Sequence, residues 1–430
     1  MKKFSQILII AMIAVIGLGV SGCEAFLGGE DDNDSSTKEY GWYGNGSASN
    51  FNISNFAQLK EFDRIVQGYN LGSDGPKQSD FTGKTVTLTA DIDMSGKDWY
   101  GGIGGFLPSY PFNGTFDGGN KTISGLNVSR NGFFAIIEED GIVKNLTFVD
   151  LTISNYSAGV TMTNRGKIQN ITITNGYADD SASGVVCYNF GIVENCNFSG
   201  DISDSYSSGG IASHNDGIIR NCYVTGSITT GGNTGGIVDD NRGTVENCYT
   251  TCDIVGLIWA DNVGGIVGNN RGIVKNCYAT GNISNGDMSI GGVVGSNEGR
   301  IQNCYATGIV TGDNNVGGIT GGGGTVQYCV ALNPSITATS GSYQTNISIS
   351  RVGYVNSGSL SNSYGLKGMT LRYSYYSEDV PVTSNANDIH GEDVEAPEYN
   401  TQSWWTSTVN WDFNTVWQWD SSGNLPKLRF

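Results

Sequence analysis

The sequence predicts an all-β chain wound into a right-handed parallel β-helix, a solenoid of about ten rungs with a short N-terminal capping helix and a Trp-rich C-terminal cap. Three observations lead there. The phrase Asn-x-Gly-x-(Ile/Val/Leu)-x-Asn occurs at Asn164–Asn170, Asn189–Asn195, Asn215–Asn221, Asn241–Asn247, Asn270–Asn276, Asn297–Asn303 and Asn356–Asn362, with a degenerate copy running from Glu139 to Asn145. From Asn145 to Asn303 the closing asparagines advance by 25, 25, 26, 26, 29 and 27 residues, and a period in the twenties marks turns that cannot bury their apolar faces alone. Glycine numbers 64 of 430 residues while charged residues make up 15%, a balance that favours tight turns and short strands over helices.

Residues 1–22 read as a lipoprotein leader. Lys2 and Lys3 precede an apolar run from Ile7 to Val20, short for a membrane span, and Val20-Ser21-Gly22-Cys23 places a small-residue pair before a cysteine. That arrangement makes Cys23 the acylated, palmitate-bearing N-terminus of a membrane-anchored chain; the alternative is an uncleaved anchor helix. Residues 23–50 form a flexible tether whose acidic run, Glu30-Asp31-Asp32-Asn33-Asp34, cannot bury enough apolar surface to fold. This run resembles the export stretch of Bacteroidota surface lipoproteins and implies display on the outer membrane. The net charge of −18 repels phosphate backbones, so nucleic acid is excluded as a partner.

Residues 51–120 read as an N-terminal cap with the first strands. Asn55–Ile65 has Phe56, Leu59, Phe62 and Ile65 at helical spacing, and leads into Thr85–Ile92 and Phe112–Gly118. Residues 121–366 carry the rungs. An aliphatic column runs Val143, Ile168, Val193, Ile219, Val245, Val274, Ile301, Val326 and Leu360. After each closing Asn comes a second column, Leu126, Leu146, Ile171, Cys196, Cys222, Cys248, Cys277, Cys304, Cys329 and Ser363, and two residues on a third, from Phe148 to Ala331. Alternation breaks at the closing Asn, so that residue is expected to hold a left-handed bend and to stack its amide on its neighbours; Gly125 is read as filling the same slot in the earliest rung. Triplets such as Gly264-Gly265-Ile266 supply a further strand per rung. Because Leu and Ile share the Cys column, its thiols are expected to be free and buried, with neither disulfides nor metal; Cys187 and Cys252 fall outside it and stay open. In residues 367–430, Trp404, Trp405, Trp411, Trp417 and Trp419 are expected to plug the open core.

At these residues the chain resembles the GLUG-motif family of bacterial surface proteins. Gly265-Ile266-Val267-Gly268 followed by Asn270–Cys277 carries the resemblance, as do Gly292-Val293-Val294-Gly295 with Asn297–Cys304, the opening Ala90–Met94 and Phe112–Gly118, and the Trp-rich close. It implies a right-handed β-helix at the cell surface, often adhesin-like, and also found beside the protease domain of IgA-cleaving metallopeptidases. No His-Glu-x-x-His is present, and the two histidines are His214 and His390.

Candidate ligand-binding residues are few. Tyr223, Tyr249, Tyr278 and Tyr305 each follow an inward Cys, so alternation turns them outward into an aromatic stripe able to hold sugar rings or simply to stiffen the sheet. Trp259 sits in the longer rung that accounts for the 29-residue step, at Thr251–Asp261, as an exposed recognition spot or a folded-in bulge. Tyr188, His214, Asp239 and Asp240 make the one cluster suited to acid–base chemistry, without a cleft-forming insertion beside it. The expectation is a lipid-anchored binding protein without cofactor or turnover, adhering to a host or neighbouring-cell glycan or protein. The alternatives are a carbohydrate-active enzyme of pectate-lyase-like architecture and a passive surface scaffold.

Overall fold

The computed structural model of the protein describes residues 41–430 except 69–70, 72–76, 98, 100, 106–109, 205, 258, 341–347 and 355–357. The leader, Cys23 and the acidic run lie outside the described residues, as do Ile258 and Asn356. The chain is an all-β parallel solenoid of about eleven turns, with two helices among the described residues. Its turns stack in register. The aliphatic column read from the sequence is continuous from Val143 to Leu360 and is extended upstream by Phe51, Val86 and Phe116.

Each position of the repeated phrase answers a separate physical need. The opening asparagines point inward: Asn164, Asn189, Asn215, Asn241, Asn270 and Asn297 are at most 1% exposed. Each of the first five donates its amide to Oδ1 of the next turn's asparagine at 2.7–2.8 Å, which satisfies groups that would be costly to bury alone. The glycine two residues on permits close stacking, since a Cβ on Gly272 would stand 2.0 Å from the Gly243 carbonyl oxygen. The closing asparagines, Asn145 to Asn303, hold φ between 53° and 56°, the left-handed bend expected of them. Their amides donate the other way, to the preceding turn's Oδ1 at 2.9–3.2 Å.

Gly125 belongs elsewhere. Lys121 pairs with Leu146, so the early counterpart of the closing Asn is Asn120, with φ 55°. Extra residues between Asp117 and Lys121 bulge the strand and shift the count. Gly125 therefore stands at the following bend with Asp150 and Asn175, and Leu126 lies beside Leu151 rather than Leu146.

Helix α1 (Phe56–Gln67) covers the first turn. It starts on Asn55, whose side chain accepts from the Gln58 N–H at 3.0 Å, and stops at Gly68 with φ 69°. Leu59, Phe62 and Ile65 are fully buried, with Phe62 edge-on to Phe81 at 4.9 Å. From there the core tapers. The third column shrinks from Phe148, Ile173 and Phe198 through Val224 and Thr250 to Ala279, Ala306, Ala331 and finally Gly365. Six cysteines, Cys196 to Cys329, fill the neighbouring column, free and fully buried.

Arg351 closes the narrow end. It takes the place of the second glycine in the Gly-Gly-Ile triplet, beside Gly318, and is 1% exposed. Its guanidinium donates to the carbonyls of His390 (2.8 Å), Gly365 (3.1 Å) and Gly391 (2.9 Å) and pairs with Asp393 at 2.7 Å. A Cβ on Gly365 would lie 2.7 Å from Arg351 Nε, which is why the taper ends in glycine.

The tryptophans do not plug the core, contrary to the sequence expectation. Helix α2 (Gln402–Ser407) and the hairpin of Trp417–Asp420 with Leu425–Leu428 lie along the outside of the solenoid. Trp405, Trp411 and Trp417 are at most 2% exposed, pack on one another at 4.7 and 4.5 Å, and rest on Tyr278 and Tyr305. The reason is physical. With the core end occupied by Arg351, the large apolar surface still needing cover is the outward tyrosine column.

Candidate functional site

The four tyrosines do form a ladder, with ring centroids 5.0, 4.9 and 5.0 Å apart and planes within 7°. They do not form an open stripe. Tyr278 and Tyr305 are 9% and 3% exposed beneath the C-terminal hairpin, and burial pushes both phenols above their ordinary range. Tyr223 and Tyr249 are half-buried, with Phe430 5.9 Å from Tyr249. A ligand would meet the upstream end of this ladder alone.

Trp259 is the opposite case. Asp253–Gly256 still pairs with the turn below, and Ile254 and Ala260 stay in the core, so the extra length of this rung loops out between them. Trp259 stands at its tip, 75% exposed with φ 78°, and Leu257 beside it is 46% exposed. The extra length of this rung thus carries an exposed apolar pair, Leu257 and Trp259.

The acid–base cluster resolves into two parts. Asp240 is held by Arg242 at 3.0 Å and Arg271 at 2.7 Å, and Arg271 also reaches Glu298 at 3.4 Å on the next turn. That network fits a charge-paired wall better than a proton-transfer group. Tyr188, His214 and Asp239 instead line a lateral cavity of about 280 Å³, with Cys187 and Ser213 at its floor and Tyr156 and Ser207 across from them.

Strand geometry explains the cavity. In Val186–Asn189, Ala212–Asn215 and Val238–Asn241 the first residue and the last Asn are both buried in the core. Both middle residues are then left for the outer side, giving Cys187 and Tyr188, Ser213 and His214, Asp239 and Asp240 on successive turns. The floor position becomes Gly268, Gly295 and Gly321 further along. There a second concavity of about 490 Å³ opens between Ser296 and Gly322 on one side and Ser289, Asn315 and Tyr354 on the other. The two recesses share no lining residue, and both draw on strands of the eight-stranded sheet. Tyr156 and Tyr206 at the facing corner are 62% and 59% exposed, and Trp259 lies in the connection leading to that corner.

Inside the cavity the groups are unevenly satisfied. His214 stacks on Tyr188 at 5.0 Å and 24°, and its Nδ1 is buried without a hydrogen-bond partner. Burial holds its imidazole below the ordinary range, so it is neutral at pH 7. Ser213 and Ser183 share a hydroxyl hydrogen bond at 2.5 Å. Cys187 donates to the Ser157 carbonyl at 3.1 Å, and its thiol, like that of Cys252, is pushed up to about 12 by burial; both are free. Among the described residues no three His, Cys, Asp or Glu side chains gather to hold a metal ion. Sequence reasoning found Tyr188, His214 and Asp239 but missed Tyr156 and Ser207, which lie in connections outside the repeated columns.

The GLUG motif matches residues 204–229, 260–284 and 286–311. No curated protein matches the chain. The chain is similar to the crystal structure of a putative immunoglobulin A1 protease from Bacteroides ovatus, at 18% identity over 88% of this chain and 92% of that chain, with a TM-score of 0.42. Each matched stretch spans about one turn, through a Gly-Gly-aliphatic triplet and an Asn-x-Gly phrase or its counterpart. Three turns of this solenoid thus match the GLUG motif.

Proposed function

We propose that this protein is a lipid-anchored cell-surface binding protein that adheres to a glycan or protein of a host or neighbouring cell, without turnover. The observation that carries this reading is the lateral cavity. Its lining presents hydroxyl, imidazole and carboxylate groups with Tyr156 and Tyr188 exposed beside them, and Trp259 stands exposed elsewhere on the solenoid. Exposed aromatics beside convergent polar groups are what a binding surface for a polar, ring-containing ligand needs. The Asp240 carboxylate, paired with two arginines, favours binding over acid–base catalysis. The lipobox at Cys23 and the acidic tether support display at the outer membrane.

A glycan array probed with the purified mature chain tests the reading, alongside adhesion of cells displaying it. Retention of a defined set of glycans, lost on replacing Tyr156 and Trp259 with alanine, is the expected result. Catalytic depolymerisation of retained glycans, abolished by Asp239→Asn, would replace adhesion with the enzyme reading.

A further inference from the structure

Resting on the protein-binding form of that proposal, we infer that the corner carrying Leu257 and Trp259 docks a lysine- or arginine-rich segment of a partner protein. Segregation of charge is the first argument. Between Asp150 and Ser350 the sequence holds seven Lys and Arg residues, and all seven fall inside the Asn-x-Gly phrases. Six of them pair with carboxylates of those phrases or of residues beside them. The strand leading into the corner, Asp253–Gly256, belongs to a different column, stacked on Tyr223–Thr230 and Asn197–Asp204. Its inward residues Ile202, Ile228 and Ile254 are buried, while Asp201 and Asp253 stand exposed in one register on the outer side. Asp180, Asp261, Asp287 and Asp313 lie in or beside the same column. Acids without a single base thus run along six turns, roughly 24 Å at the strand spacing.

Apolar surface is the second. Leu257 and Trp259 are exposed at the tip, and Met288, 49% exposed, comes from the adjoining turn, where its carbonyl accepts from the Asn262 N–H at 2.7 Å. Exposed apolar side chains gathered at one place mark a contact surface. Tryptophan is the side chain best suited to anchor such a contact and to hold a cation over its ring face.

The carboxylates beneath the tip are the third. The Asp261 N–H donates to the Trp259 carbonyl at 2.9 Å and the Asp287 N–H to the Ala260 carbonyl at 2.8 Å, which brings both acids to the base of the loop. Burial, and then the charge of Asp287, raise the Asp261 carboxyl above its ordinary range. An ammonium or guanidinium group placed there relieves the repulsion while its stem covers apolar surface. Single exposed ion pairs contribute little, so a segment with several cations along the acidic side is favoured over one small cation. The same carboxylates oppose entry of the tip into a bilayer.

Fluorescence anisotropy of a labelled decalysine peptide, titrated with the mature chain, tests this. The peptide should bind, and should bind about fivefold more weakly both to Trp259→Ala and to the double variant Asp261→Asn/Asp287→Asn. Glu138→Gln/Asp216→Asn removes the same charge at the Asn-x-Gly turns and should leave binding unchanged. Circular dichroism checks folding, and Trp259→Ala, at an exposed tip, carries the test if a double variant fails to fold. Absence of binding, undiminished binding to Trp259→Ala, or equal weakening by the two double variants overturns the assignment. Trp259-dependent binding to phosphatidylcholine vesicles without binding of the peptide overturns it in favour of a membrane. Cell adhesion without peptide binding overturns the basic partner and leaves adhesion standing. Trp259-dependent peptide binding by a chain that adheres to no cell supports the docking surface and removes the adhesive reading.

Discussion

Tyr305 donates its phenolic hydrogen to the Pro426 carbonyl, 2.7 Å away and 121 residues later in the chain. The contact ties the C-terminal hairpin to the flank of the solenoid and makes the tyrosine ladder an internal seam. Trp417, fully buried against Tyr278 and Tyr305, is central to it. Trp417→Ala should lower stability by about 3–5 kcal/mol and raise binding of a hydrophobic dye. Denaturant unfolding unchanged from the parent would mean that the hairpin merely rests on the surface.

Asn276 combines a left-handed φ of 54° with amide hydrogen bonds to Asn247 and Asn303, each at 3.1 Å. Asn276→Gly keeps the bend and loses the ladder, at about 1–2 kcal/mol. Asn276→Val loses both and should cost a further 1–3 kcal/mol, roughly the strain of a β-branched residue at positive φ. Chemical denaturation giving one midpoint for the two variants would refute the separation of bend from ladder.

Cys277, free and fully buried, behaves as a small apolar side chain. Cys277→Ala should be tolerated at about 1 kcal/mol, whereas Cys277→Asp buries a carboxylate and should prevent folding. Thermal melts with and without reductant should coincide; a large drop on reduction would reveal a disulfide that the structure does not contain.

Asp63 provides a pH test. Burial, opposed by hydrogen bonds from the Gly104 N–H (3.2 Å) and Gln67 Nε2 (2.6 Å), raises its carboxyl to about 6. Its folded pKa exceeds the unfolded one, so the native state holds a proton that the unfolded chain releases first. Stability contributed by this group is then lost as pH rises from about 4 to about 6. Asp63→Asn should remove that slope, gaining about 1–3 kcal/mol on the parent across the window. Parallel pH profiles for the two proteins would show that Asp63 ionises normally.

Cys23→Ala should abolish acylation and move the protein from the detergent phase to the aqueous one. Partitioning equal to the parent's would end the lipoprotein proposal. Proteinase K added to intact cells separately tests display, since full protection would place the chain in the periplasm.

Much of the fold was legible because a repeat writes the same physics many times. The aliphatic column, the left-handed asparagines and the buried thiols each followed from side-chain type at a fixed place in the period. Gly125 was misplaced where the period itself is broken, by the bulge between Asp117 and Lys121. The tryptophans were misplaced because nothing local tells whether an apolar segment covers an end or a flank; that depends on Arg351, whose burial looks improbable for an isolated charge. The site was harder still. Tyr188, His214 and Asp239 were visible, but Tyr156 and Ser207 come from connections that meet His214 around one cavity only once the turns are stacked.

Arg351 has a consequence for how such a chain can grow. Between Asn145 and Asn303 every turn offers acceptors on one side and donors on the other in the same pattern, so a copied or excised turn leaves its neighbours able to rejoin. Arg351 breaks that sameness by spending its guanidinium hydrogens on carbonyls of its own last turns. It marks where the repeating pattern stops: duplication upstream of it would lengthen the reach of the rod without disturbing the closing turns.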